Sequence, residues 1–399
     1  MLEHKLFKLL DAAYNEMVDI RRYLHQYPEL SFEEEETPAY IASYHEKLGH
    51  EVKTNVGNRG ITARLKGGKP GPVIALRADF DALPIQEETG LPFQSKRDGI
   101  MHACGHDGHT ATLLVLAKAL NNIQADINGT IVFIHQHAEE YAPGGAIEMI
   151  QDGCLDDVDV IFGTHLWATV PYGVMQYKDG AMMAAADRFE INIIGKGGHG
   201  ATPHLTKDAI VIGSQLVTTI QQLVSRRIDP QESAVVSIGS FEAANAFNVI
   251  ADQAKLIGTV RTFNNDVRDL IEEELERITR TTCEGANADA DFHYSKGYPP
   301  VVNHKKEADY LATCASSVPG IQKTEYMKPQ MTGEDFSYYL QHVKGSFFFT
   351  GAQLPNTEET YPHHHPKFDI DERAMLLAAK IMGKAVLDYK DESKRSDQK

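Results

Sequence analysis

The stretch "PVIALRAD" (72–79) is an apolar run that ends on a charged residue. A continuous apolar run that follows a Gly/Pro turn reads as a strand buried on both faces, the kind found in parallel sheets. "GTIVFIHQ" (129–136) and "VDVIFGTH" (158–165) have the same form, and two of the three runs are rich in β-branched residues. "TATLLVLAKALNNI" (110–123) lies between two of them and reads as a buried helix. This alternation predicts an α/β layer, a mostly parallel sheet flanked by helices. In such sheets, sites form beyond the carboxyl ends of the strands. Each run leads there into polar residues: Asp79, then His135 to Glu140, then His165.

The pattern changes near Asp187. "DRFEINIIG" (187–195), "SAVVSIGSFE" (233–242), "AKLIGTVRTF" (254–263) and "ADADFHYSKG" (288–297) read as strands. "TKDAIVIGSQLVTTIQQLVSRR" (206–227) and "NNDVRDLIEEELERITRTT" (264–282) read as helices, the second with Asn264 or Asn265 as cap. The order β-α-β-β-α-β is that of a ferredoxin-like split unit. Strand and helix alternation resumes after about residue 297, so this α+β unit is expected as an insertion. The expected division is 1–183 and 296–399 for the α/β domain and 184–295 for the inserted one. Two domains also suit a chain of 399 residues.

The net charge is −17, from 39 basic and 56 acidic residues. That argues against a nucleic-acid partner, which requires clustered Lys and Arg. No apolar run approaches the roughly 18–20 residues that span a bilayer. The N-terminus mixes both charge signs into one amphipathic helix and has no uninterrupted apolar segment, so neither a membrane partner nor a signal peptide is expected. Cysteines 104, 154, 283 and 314 are widely spaced and show no CxxC. A disulfide framework is not expected, and a cytoplasmic location fits. The tail "KDESKRSDQK" (390–399) is expected to fray.

"HACGHDGH" (102–109) holds the densest set of metal-ligating residue types. It also reads as a polar loop and helix start with Asp107 or Thr110 as cap. Cys104 and His106, two apart on a loop, can face one ion. That donor pair suits Zn, Co, Ni or Mn better than Mg or Ca. A structural zinc site needs a second close pair, and none lies nearby, so a site here is assembled from distant segments as open catalytic sites are. Glu139 and Glu140 follow an apolar run, and adjacent side chains in an extended stretch diverge. One carboxylate can then ligate metal while the other serves as general base. The same pair also reads as a solvated acidic start of a helix. His165 reads either as a ligand at a strand end or as a core histidine. "PHHHPKFDID" (362–371) offers His363, His364 and His365, in a loop ahead of a helical stretch (371–389).

With "RADFDALP" (77–84), "HACGHDGH", "HQHAEE" (135–140), "GTHLW" (163–167), "GKGGHGATPH" (195–204), "FNVIAD" (247–252), "GTVRTF" (258–263), "TGEDFS" (332–337) and "HHPKFD" (364–369), the chain resembles the aminoacylase/carboxypeptidase-type metallohydrolases. It is most similar to the branch of N-acyl-amino-acid amidohydrolases that includes hippurate hydrolases and hydrolases of indole-acetyl-amino acids. The motifs run in family order over almost the whole chain. The resemblance implies a two-metal site held by Cys104, His106, Glu140, His165 and His364, with Glu139 as general base and Asp79 orienting a ligand. Relatives outside the branch have a ligand histidine where Arg77 stands, and the branch uses Cys104 in its place. His137 and Ala251 stand where the branch usually has proline. His137 is read as a loop residue.

The implied reaction is hydrolysis of the amide of a small N-acyl-amino acid, using two divalent ions among Mn, Zn, Co and Ni. A dipeptidase or carboxypeptidase with the same site is the alternative. On the inserted domain, His199 is expected to donate to the oxyanion, and Arg261 and Asn248 to hold the substrate carboxylate. Gly333, in "TGEDFS", is expected at the substrate. The substrate is expected between the domains, and the resemblance implies a homodimer paired through the inserted lid.

Overall fold

The computed structural model describes residues 2–355 and 359–390. The tail expected to fray lies outside the described residues from position 391 onward. The chain divides into two compact units. One comprises Met1–Gly180, Val302–Lys328 and Asp335–Lys399, and the other Ala181–Val301 and Pro329–Glu334.

The first unit is built on an eight-stranded sheet. Its centre is parallel, in the order Asn128–Gln136, Lys69–Asp79, Val160–Pro171, Gly345–Gln353. Gly60–Lys66 and Glu51–Val56 extend one edge antiparallel. Val174–Tyr177 joins the other side antiparallel and is followed by Lys323–Tyr326. The central strands are buried on both faces: Ile74, Ala75 and Leu76 are all covered, as a continuous apolar run requires. The helix His106–Asn121 is buried nearly all round. It packs with Arg373–Asp388 and Tyr14–Gln26 in one core that includes Leu114, Leu116, Ala378 and Leu24.

Several local expectations shift. The single N-terminal helix is two, Leu2–Ala12 and Tyr14–Gln26, joined at Ala13. The buried helix begins at His106, so neither Asp107 nor Thr110 caps it. The cap position is Gly105, at φ 99, where a residue with a Cβ would be strained. His106 therefore sits in the helix rather than on the preceding loop. The strand expected to end at His165 continues to Pro171, because Gly345–Gln353 pairs alongside it.

The second unit is a four-stranded antiparallel sheet in the order Ala234–Glu242, Gln253–Thr262, Ala185–Ile194, Asp289–Ser295. The helices Ala209–Arg227 and Asn265–Gly285 cover one face, which makes it ferredoxin-like. Alternation sets the buried face: Phe189, Ile191 and Ile193 meet Leu216, Ile220, Ile271 and Leu275. Gly258 faces Phe189 across the strands, and a Cβ there would clash with that ring. Asp208 and Asn264 cap the two helices.

Candidate metal centre

The ligand-type side chains of the first unit converge where the central strands end. One donor atom each from Cys104, His106 and His165 lies within 4.8 Å of the others, and the same holds for Cys104, Glu140 and His364, and for His106, Glu139 and Glu140. These residues come from segments up to 260 positions apart.

Asp81 organises much of this cluster. His106 Nδ1 lies 3.0 Å from the Asp81 carbonyl oxygen and 3.1 Å from its Oδ1. The other carboxylate oxygen accepts from the Glu140 backbone N–H at 2.9 Å and from Ser31 Oγ at 2.7 Å. With Nδ1–H donated to Asp81, His106 presents Nε2 as an acceptor. That atom is buried without a hydrogen-bond partner, and so is Glu140 Oε1, 3.8 Å away. Two buried unpartnered acceptors aimed at one point are costly unless a cation joins them.

Cys104 Sγ lies 3.3 Å from His165 Nε2. Glu140 Oε2 lies 3.2 Å from His364 Nε2. His364, at φ 65, is held beside this loop by its N–H bond to the Ala103 carbonyl, 2.8 Å. Glu139 and Glu140 do not form the extended pair expected. Ala138, at φ 52, turns the chain just before them, and both carboxylates approach His106 Nε2, at 3.9 and 3.8 Å.

Asp79 is completely buried. It accepts from His109 Nδ1 at 2.6 Å and from Arg77 Nη1 at 2.6 Å, and lies 3.8 Å from His106 Nε2. His109 Nε2 in turn accepts the backbone N–H of Leu166 at 2.9 Å. The chain Asp79–His109–Leu166 thus ties the strand that carries His165 to the helix that carries His106. Asp81 and His109 both stood inside quoted motifs without an assigned role, and only their contacts distinguish them. Arg77 also donates to Gln136 Oε1 and Asp335 Oδ1, at 2.9 and 2.8 Å. His137 belongs to none of the donor clusters among the described residues. It is buried against Phe32, with Nε2 3.4 Å from Glu148.

The electrostatics favour a cation. Burial opposes charge on His106, yet Asp79, Asp81 and Glu140 outweigh it and raise the imidazole to about 10. Burial, then the charges of Glu140, Glu139 and Asp79, push the Cys104 thiol well above its ordinary value. Both shifts have one meaning: this site stabilises added positive charge and resists added negative charge. Burial first, with His109 and His363 beside it, holds His165 well below the usual imidazole range and leaves it neutral, the form that ligates metal. Mixed sulfur, nitrogen and oxygen donors fit Zn, Mn, Co or Ni.

In the second unit, His199 is exposed on the short strand Gly198–His199, paired with Val249–Ile250. Its Nδ1 accepts from the Ala201 N–H at 3.0 Å. Asn248 is adjacent, its carbonyl accepting from the Gly200 N–H at 2.8 Å. Arg261 is half-buried on Gln253–Thr262, bonded to Thr259 Oγ1 and, at 3.0 Å, to the Val260 carbonyl. It pairs across the sheet with Ala186, the residue whose Cβ a side chain on Gly333 would meet at 3.0 Å. His199 and Asn248 therefore form one group, and Arg261 and Gly333 a second.

Residues 75–388 match the model of peptidase family M20/M25/M40. The amidohydrolase-like protein YhaA of Bacillus subtilis strain 168 is 57% identical over 388 residues, 97% of this chain and 98% of that protein. The N-acyl-L-amino acid amidohydrolase of Geobacillus stearothermophilus is 47% identical over 304 residues, 76% and 82% of the two chains. A solved Bacillus subtilis structure, described as a dinuclear metal-binding peptidase of the M20 family, superposes with a TM-score of 0.81. It is 38% identical and covers 94% of this chain and 98% of its own. With the family model covering most of its length, this chain belongs to the peptidase family M20/M25/M40 and is a hydrolytic enzyme.

Proposed function

We propose that the protein is a metal-dependent amidohydrolase that cleaves N-acyl-amino acids to a carboxylic acid and a free amino acid. The carrying observation is the convergence of Cys104, His106, His165, Glu140 and His364, with a further carboxylate, Glu139, at its edge. The names of the relatives point to the same chemistry.

In this reading the five residues hold two divalent ions among Mn, Zn, Co and Ni. Bound there, such ions would supply acidification of water and polarisation of the scissile carbonyl. Glu139 is the general base. It takes the proton of the attacking water at a carboxylate oxygen and delivers a proton to the departing amine nitrogen. Asp79 and Asp81 hold His109 and His106 and so keep the ligands oriented. His199 donates to the carbonyl oxygen as negative charge grows on it. Arg261, beside Gly333, holds the amino-acid carboxylate, which matches the planar guanidinium, and Asn248 assists from the group it forms with His199.

We further read the protein as a cytoplasmic homodimer paired through the inserted unit. Among the described residues no helix is long and apolar enough to cross a membrane. The direct test is turnover of N-acetyl and N-benzoyl amino acids against free dipeptides, with each of the four metals added to metal-stripped enzyme. Hydrolysis of acyl-amino acids with at least one metal is expected. Turnover of dipeptides alone would assign the site to a dipeptidase instead.

A further inference from the structure

A cavity of about 350 Å³ opens beside Glu140 in the first unit. Its walls are mainly apolar, formed by Leu30, Phe32, Leu83, Pro84 and Tyr141, and its charged lining residues are Glu33 and Glu140. No lysine or arginine lines it.

The walls are pre-formed and share an anchor with the candidate metal ligands. Leu30 bridges to Ala82, and the Ala82 N–H donates to the Glu29 carbonyl at 2.8 Å. The Glu29 carboxylate accepts the N–H groups of Glu35, Glu36 and Thr37, at 3.0, 3.0 and 2.8 Å, which fixes the loop to the helix that follows. Ser31 donates to Asp81, the residue that also holds His106 and the Glu140 backbone. Phe32 takes φ 65, a region a bulky side chain enters only when its surroundings demand it.

We propose that this cavity is the acyl subsite and that the enzyme prefers substrates with a bulky apolar acyl group, aromatic or medium-chain, over N-acetyl substrates. The proposal rests on the amidohydrolase reading above. Two features choose the occupant. Glu140 belongs to the ligand cluster and lines the cavity, so a group attached to a carbonyl held there, on the acyl or the amine side, reaches the cavity. The amino-acid half carries a carboxylate, for which the cavity offers no cation and, with Glu140 engaged in the ligand cluster, one further carboxylate, Glu33, whereas the acyl half is neutral. The volume falls in the range of small-molecule pockets, about 300–1,000 Å³, and an acetyl group would leave most of it to water.

The test is kcat/KM for N-acetyl-, N-butyryl-, N-octanoyl- and N-benzoylglycine and for N-acetylphenylalanine, with wild type and with Leu83→Trp and Leu30→Phe, which fill the cavity. In wild type, kcat/KM should rise roughly threefold to fourfold for each added methylene that becomes buried. Either filling variant should lower the octanoyl and benzoyl values about tenfold or more while N-acetylglycine stays within about twofold, so the acetyl substrate also reports correct folding. Glu33→Lys should raise turnover of N-succinylglycine relative to N-acetylglycine. A flat chain-length profile with active enzyme overturns the proposal. So do an equal loss on every substrate in both filling variants and a selective loss on N-acetylphenylalanine, which would assign the cavity to the amino-acid side chain. Failure to hydrolyse any acyl-amino acid would instead overturn the amidohydrolase reading, and this one with it.

Discussion

Glu34 accepts the backbone N–H of Ala138 at 2.9 Å, across 104 positions of sequence. Ala138 is the left-handed residue that turns Glu139 and Glu140 toward His106, so the buried Glu34 carboxyl helps set their approach. Burial, with Asp81 nearby, raises Glu34 to about 8, and its Oε2 has no hydrogen-bond partner. The folded protein therefore holds a proton here that the unfolded chain releases near the ordinary carboxyl value. Stability from this group is present at acid pH and falls as pH rises from about 4.5 to about 8. Glu34→Gln should flatten that part of the stability–pH curve in urea unfolding and retain activity. Glu34→Ala should lose the Ala138 anchor and lower kcat. An unchanged slope in the Gln variant would refute the assignment.

Cys104→Ala removes the sulfur that lies 3.3 Å from His165. Metal content and activity should fall together by about 10–100-fold or more, the scale on which even supporting groups of a metal site act. Mass spectrometry of metals in the purified variant, beside its turnover, checks this. Full occupancy with normal turnover would remove Cys104 from the site.

The adjacent glutamates should separate. Glu139→Gln should keep its metals and lose about 10²–10⁴-fold in kcat, because the proton acceptor is gone. Glu140→Gln should lose metal as well as rate. Exchange of these phenotypes would reverse the two roles.

Arg21 is buried among Asp107, Asp369 and Glu372, at 3.0, 2.7 and 3.1 Å. This links the second helix to the helix that begins at His106 and to the segment after the late histidines. Arg21→Met leaves Asp107 buried without its guanidinium, beside the imidazoles of His25 and His102. A loss of about 3–5 kcal/mol in equilibrium unfolding is expected. A loss below about 1 kcal/mol would show that the group is solvated.

If His199 serves a partner's site, inactive Glu139→Gln and His199→Ala variants should complement. In a mixed dimer one site carries both lesions and the other neither. Unfolding and refolding the two together should restore about a quarter of wild-type activity for statistical pairing. Mixed dimers confirmed by mass that show only the summed residual activities would place His199 in its own chain's site.

By itself the sequence determined the order of the main elements and which scarce residue types could serve as donors. Apolar runs such as 72–79 and the alternation at 187–195 follow the two-residue repeat of a strand, which is local whatever distant segment covers it, so a local period reveals them. Cys-x-His, Glu-Glu and the late histidines were legible because such residue types are scarce and concentrated. Only the tertiary structure decided how those donors are held. Asp81 reaches His106 across 25 positions, Glu34 reaches Ala138 across 104, and Arg77 reaches Asp335 across 258. A hydrogen bond between segments so far apart leaves no periodicity in either one, and an aspartate that clamps a ligand has the same local pattern as one that faces solvent. The turn at Ala138 is of the same kind. Nothing in "HQHAEE" marks an alanine for φ 52, and the contact from Glu34 accounts for what extended-chain geometry did not predict.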